Sequence, residues 1–245
     1  MAGLVCVGKL RGRPLDVPGS GYLYLGGIVE LSVEVKAKST ARRSRFEDTR
    51  GQTIAAAVAL EEICLGMVVE DFTDCNLALA LAGSVQSLAL APVQNASRAA
   101  TVRLGEWIDL GRPCLACAFA TRDAQTLQPG ADYDVDLDAG MVRPLAGGAL
   151  GEGDEIEIVF SAAAATGGRI EAGPAVGSAW SLRFSGRNAV DGSRLILEAD
   201  RARLRPRAGL DMLRSGFNRV ELAAALETLP GQTSPLRITR LDPND

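Results

Sequence analysis

Glu70-Asp71-Phe72-Thr73-Asp74-Cys75-Asn76-Leu77-Ala78-Leu79-Ala80-Leu81-Ala82-Gly83 is the stretch on which the reading of this chain turns. It ends a strand and spells out one short helix. Thr73 stands where an N-cap hydroxyl accepts an orphan amide of the first turn. Asp74 puts negative charge at the positive end of the helix dipole. Phe72 and Leu77 have the spacing of a hydrophobic staple. Leu77 and Leu81 are four apart and share a face. Gly83 is expected to supply the left-handed turn that stops the helix. The spacing predicts a helix over 73–82.

The sequence on either side reads as strands. Met1 to Gly27 is rich in Gly and Pro and reads as an extended arm. From Ile28 to Val35, Val29, Leu31, Val33 and Val35 alternate with Glu30, Ser32 and Glu34, the pattern of a half-buried strand. Lys36 to Gln52 reads as a long polar loop. Thr53 to Leu65 is Ala-rich and carries Glu61 and Glu62, so its propensity suits a helix as well as a strand. Ser84 to Ala100 reads as a linker. Arg112 to Ala165 reads as a compact β module, with strands at Ala131–Leu137 and Glu155–Phe160 around the turn signal Asp138-Ala139-Gly140. Thr166 to Gly177 is a return linker. Ala179–Ser185 and Arg194–Arg205 form a hairpin about Asn188–Gly192, and Asn218–Leu226 and Pro235–Leu241 are the last strands.

A chain of 245 residues is long enough to bury a sizeable core. Its net charge of -4 and pI near 5.1 argue against avid nucleic-acid binding, which needs a basic surface. Histidine is absent, which removes Ser-His and Cys-His nucleophile pairs and His-based zinc sites. Five cysteines, Cys6, Cys64, Cys75, Cys114 and Cys117, are odd in number and scattered, and read as reduced thiols rather than a disulfide framework. The first residues lack the charge order of a signal peptide. No run approaches the roughly 20 apolar residues of a membrane span.

The run from Glu70 to Gly83 resembles the tail tube proteins of tailed bacteriophages. There a strand ends in an acidic-aromatic pair, a Thr or Ser caps a helix reading Asn-Leu-Ala-Leu-Ala-Leu, and a Gly closes it. A looser resemblance covers most of the chain, including Leu104-Gly105-Glu106-Trp107-Ile108-Asp109-Leu110 and Gly186-Arg187-Asn188-Ala189-Val190-Asp191-Gly192. The resemblance implies a mainly β fold, a β-sandwich or part-barrel with the one short flanking helix. It favours a short strand, a break near Glu61 and Glu62, and a second strand over Ile63–Asp71. The Tyr133-Asp134-Val135-Asp136 strand, its Gly turn and Gly153-Asp154-Glu155-Ile156 resemble small immunoglobulin-like modules of virion and surface proteins. The expected organisation is a tube domain over 1–112 and 166–245 with a β module inserted at 113–165.

By the same resemblance the protein is a structural virion protein rather than an enzyme, and no catalytic, cofactor or metal residue is expected. Copies would form stacked rings, usually hexameric, around a channel that genome passes through without specific binding. Further partners would be tape measure, tail terminator and distal tail proteins. Assembly would take place in the host bacterial cytoplasm, with the virion tail as destination and no membrane insertion. Two other classes fit the residues less well: a secreted β-sandwich binding module, and a hydrolase built on paired carboxylates.

Two charge patterns supply contact candidates. Lys36, Lys38, Arg42, Arg43, Arg45 and Arg50 face only Glu47 and Asp48 within 36–52, an excess of four positive charges. In tail tubes the equivalent loop reaches the next ring, and arginine forks suit carboxylates there; a solvated basic loop is the plainer reading. Arg201, Arg203, Arg205 and Arg207 recur with period two and share a strand face, with Glu198 and Asp200 opposite. They read as a salt-bridge row between subunits or as an exposed face, pointing away from the lumen. Asp132, Asp134, Asp136 and Asp138 fail the EF-hand pattern, since Leu137 and Arg143 stand where Gly and Glu belong, and suit the guarding of a strand edge. Cys114 and Cys117 read as buried small residues, and Trp107 and Trp180 as core or interface anchors.

Overall fold

The computed structural model describes residues 3–213 and 215–242. In chain order it has β1 (Cys6–Pro14), β2 (Leu23–Tyr24), β3 (Ile28–Arg43), β4 (Thr53–Val69), the helix α1 (Asp74–Ala80), β5 (Ser84–Leu90) and β6 (Val93–Thr101). There follow β7 (Ile108–Asp109), β8 (Leu115–Arg122), β9 (Gln125–Thr126), β10 (Tyr133–Asp136), β11 (Met141–Pro144) and β12 (Glu155–Ala162). β13 (Ala165–Glu171), β14 (Ala179–Asn188), β15 (Arg194–Pro206), β16 (Val220–Leu226) and β17 (Arg237–Leu241) complete the chain. The fold is mainly β. Two compact units divide it, the first from residues before 87 and after 168, the second from 87–168.

The first unit is an antiparallel sheet in the order β2-β1-β14-β15-β16-β4-β3. On the edge away from β14, β15 serves two partners: its first half pairs with β17 over Arg194–Glu198 and its second half with β16 over Ala202–Pro206. One extra residue between Ala199 and Ala202, opposite Trp180 to Leu182, makes this switch. The core is Leu10, Leu25, Leu65, Met67, Val69, Trp180, Leu182, Leu204, Val220 and Leu222, with Leu79 of α1 laid on it. The residues expected to be an extended arm thus supply a nine-residue strand, β1, paired along its whole length with β14.

Thr73 caps α1, its Oγ1 accepting the Asn76 amide at 3.2 Å. The helix turns Asn76, Ala78 and Leu79 inward. Its stop differs from the expectation: Ala82 takes the left-handed conformation (φ 47°), and the Gly83 amide donates to the Ala78 carbonyl at 2.7 Å. Gly83 is needed for another reason. A Cβ there would stand 2.3 Å from the Glu171 carbonyl oxygen, so only glycine admits that strand.

The second unit has two sheets, β6-β12-β8-β9 and β10-β11-β7, closed on Val102, Leu115, Tyr133, Val142, Ile156 and Ile158. It begins at 87 rather than 113, because β6 pairs with β12 from Thr101 to Val93 and cannot be a linker. Arg112, almost fully buried, lies inside the unit and donates from Nη2 to the carbonyls of Ala91 and Ala163, both at 2.8 Å. β5 and β13 pair as a two-stranded ribbon in which both chain crossings between the units fall.

Candidate functional site

The residues expected as a polar loop are strand. β3 and β4 form one long hairpin, paired from Ile28↔Val69 to Arg43↔Thr53. The register slips at Glu61, since Lys36 faces Glu62 while Ala37 faces Leu60. The expected break near the two glutamates is therefore a β-bulge inside a continuous strand, and 53–65 is strand throughout. β4 pairs with β16 only from Val69 back to Cys64. Beyond that point the hairpin is a two-stranded ribbon with no third strand among the described residues.

Register assigns the two faces of this ribbon. Residues directly opposite in an antiparallel pair lie on the same side. Leu31/Met67 and Val33/Leu65 belong to the core side, where Leu65 and Met67 are fully buried. The same side continues outward as Val35/Ile63, Ala37/Leu60, Ser39/Val58 and Ala41/Ala56. Burial is lost along the way: Val35 is 61% exposed, Leu60 60% and Val58 71%. The hydrophobic stripe of the core thus runs out into solvent. The other side carries Lys36/Glu62, Lys38/Ala59, Thr40/Ala57 and Arg42/Ala55. Lys36 and Glu62 pair at 3.0 Å. The Cys64 thiol and Lys36 both hydrogen-bond the Glu62 carboxyl and hold it below the usual carboxylate range. Burial, and after it the hydrogen bond that the thiol donates to Glu62, pushes the Cys64 thiol up.

The tip of the ribbon is built rather than loose. Ser44 is buried; its Oγ meets Thr49 Oγ1 at 2.6 Å and accepts the Phe46 amide, while its backbone pairs with Gln52 and Gly51. Arg43 donates to the Gly51 carbonyl at 3.2 Å. Lys38, Arg42, Arg43, Arg45, Glu47, Asp48 and Arg50 are all exposed on this ribbon and tip, and none makes an ion pair among the described residues. Phe46 stands among them, 77% exposed. The run Ala55-Ala56-Ala57-Val58-Ala59-Leu60 hides a period of two behind alanines, so the sequence does not mark the side on which Val58 and Leu60 stand.

The arginine ladder does not join this ribbon's charges. Arg201 and Arg203 both bond Glu227 of the same chain at 2.9 Å. Arg205 is exposed. The bulge in β15 leaves Asp200 and Arg201 both half-buried between buried Ala199 and Ala202. Glu198, Asp200 and the arginines therefore share the outward side, which corrects the placement of the acids on the opposite face. Arg237 from β17 bonds Asp200 at 2.8 Å, and Arg183 bonds Glu198 at 2.6 Å.

In the second unit the aspartates have separate jobs. Asp132 is buried and accepts the amides of Ala149 and Gln128, both at 2.7 Å; these bonds hold its carboxyl below the usual range. Asp154 is held low by the Gly151 amide and by Arg122 at 2.6 Å. A carboxyl held low in the folded protein contributes stability above its ordinary value near 4, roughly, and loses it as pH falls through the depressed value. The transition of this unit is expected to fall in melts taken from about pH 5 down to about pH 2, and Asp132→Asn to flatten that slope. An unchanged slope would remove Asp132 as a cause. Cys114 and Cys117 are exposed rather than buried, and Cys114 has φ 57°, outside a strand. Trp180 is core, while Trp107 is 44% exposed under the guanidinium of Arg143, 4.9 Å from its ring.

No helix among the described residues is long and apolar enough to cross a membrane. No group of three or more acidic or Cys side chains among them is arranged to hold a metal ion. Among curated proteins none matches the sequence. Residues 4–234 match the family described as Protein of unknown function UCP028589, and the chain belongs to that family.

Proposed function

We propose that this chain is a structural subunit that assembles with copies of itself into the rings of a phage tail tube. One observation carries the reading: the core's apolar stripe continues along the β3–β4 ribbon as Val35, Leu60 and Val58, exposed. An isolated two-stranded ribbon is marginal in water. A run of unpaired edge backbone with an apolar side is a template for pairing with another chain. Ribbons of neighbouring copies laid edge to edge satisfy both needs, and a closed ring of them has no edges left. Hexameric rings, stacking into a tube, a virion location and a lumen that passes DNA without specific binding come from the resemblance of residues 70–83 to tail tube proteins. So do partners such as tape measure, terminator and distal tail proteins. The role is mechanical, and no residue is assigned to catalysis.

Negative-stain microscopy of the purified full-length protein over a concentration series tests the reading. Rings or tubes are the expected result. Single subunits at every concentration, confirmed by sedimentation, would end it.

A further inference from the structure

Charge is divided unequally between the two units. Residues 87–168 hold five arginines and eleven carboxylates, a formal net charge of -6, while the rest of the chain has twenty-one basic groups against nineteen acidic ones. Several of the eleven are engaged at home: Asp132 and Glu152 accept backbone amides, Glu155 bonds Thr101, and Asp154 bonds Arg122. The sheet β10-β11-β7 is different. There Trp107, Asp134, Val135, Asp136, Leu137 and Asp138 line one open concavity of about 580 Å³. Asp134 fixes Arg143 at 2.6 Å, and Arg143 lies over the Trp107 ring, so the indole is held in place while almost half its surface faces water. Asp136 spends one oxygen on the Ala139 amide; Asp138 is exposed, and its carboxylate makes no hydrogen bond or ion pair among the described residues. A rigid exposed tryptophan ringed by carboxylates is the make-up of a contact hot spot for a cationic, aromatic partner.

The chain itself carries such a partner. The ribbon tip presents Arg42, Arg45 and Arg50 beside the exposed Phe46 on a turn ordered by Ser44. We propose that the ribbon tip of one copy docks on the Trp107–Asp136–Asp138 face of the second unit of another copy, arginine forks on carboxylates and Phe46 or a guanidinium against the indole. The inference rests on the self-assembly reading and names the surface that receives the tip. A head-to-tail contact of this kind joins copies in series. It also gives the inserted unit a place in the assembly.

The test uses full-length protein in two charge-reversed forms. One carries Arg42→Glu, Arg45→Glu and Arg50→Glu; the other carries Asp136→Lys and Asp138→Lys. Association is read by sedimentation and by tryptophan emission. Trp180 is buried, so a concentration-dependent blue shift reports Trp107. Each reversed form alone is expected to associate about tenfold or more weakly, with loss of the shift, and an equal mixture to recover both, because each tip then meets a face of opposite sign. A turn loosened by losing the Asp136 carboxylate is not repaired by changing another copy's ribbon, so recovery separates docking from misfolding. Wild-type association by either reversed form, or a mixture that fails to recover, overturns the docking. If rings still form in those cases, the assembly reading survives without it. A wild-type chain that never associates ends both.

Discussion

The double substitution Val58→Asp, Leu60→Asp is expected to leave the chain folded and to abolish its self-assembly. Both side chains lie on the apolar side of the ribbon, opposite Ser39 and Ala37, and both are more than half exposed. Changes at exposed positions away from core packing cost within about 0.5 kcal/mol, so circular dichroism and melting should match the wild type. Assembly is another matter. Covering a Val or Leu side chain contributes up to about 1.5–3 kcal/mol, and each carboxylate stranded in the closed contact adds several kcal/mol of desolvation. Even a net loss of about 4 kcal/mol per contact weakens association roughly a thousandfold. The reference is Ala57→Asp with Ala59→Asp. These add the same charge to the same strand on the side that carries Lys38 and Thr40, and are expected to assemble. Sedimentation velocity with microscopy decides. Tubes formed by V58D/L60D at wild-type concentrations would show that the apolar side is not the contact.

The same ribbon shows where the sequence is legible and where it is not. The helix is written locally: Thr73, Asp74 and the Asn76–Leu81 run act within one or two turns, so cap and extent read directly. Even there Gly83 has a cause that lies at Glu171, far along the chain. The strand from Lys36 to Arg43 is illegible by period, because one side is Ala37, Ser39 and Ala41 and the other Lys36, Lys38, Thr40 and Arg42, with no large apolar residue to mark either. Pairing with Ala55–Leu60 makes it a strand. β1 is masked by Gly8, one of the glycines that make Met1 to Gly27 read as an extended arm. A Cβ there would stand 2.5 Å from the Phe184 ring and the Ser185 carbonyl oxygen, so the glycine permits close pairing with β14 rather than marking flexibility. An unbroken period of two puts Glu198 and Asp200 opposite the arginines, and one inserted residue at Asp200–Arg201 brings them to the same side. Of the candidate contacts, the charges at 38–50 were legible as an unbalanced cluster. The apolar side beneath them depends on register, which no single segment encodes.

Asn76→Leu is expected to destabilise the first unit by about 3 kcal/mol, and Asn76→Asp by more. Asn76 is 1% exposed. Its Nδ2 donates to the Leu25 carbonyl at 2.8 Å and to the Asp71 carbonyl at 2.7 Å. It thereby ties the start of α1 to the segments after β2 and after β4. Leucine fills a similar volume and keeps the backbone amide on Thr73, but leaves both carbonyls without this donor. A buried polar group left unpaired costs about 1–3 kcal/mol. The loss is partly offset, because Asn76 Oδ1 has no partner and leucine removes it. At roughly 2–4 °C per kcal/mol for a chain of this size, the melting point should fall by about 6–12 °C. Aspartate sets a carboxylate against the same two carbonyls and should be the worse of the two near neutral pH. Lowering the pH should recover part of the difference, since a protonated carboxyl can donate one bond. With two compact units the melt need not be a single transition, and the shift should fall on the first unit's transition alone. A leucine variant within about 0.5 kcal/mol of wild type would mean that these two bonds add no net stability, and that apolar packing of Leu79 on β15 and β16 anchors the helix by itself.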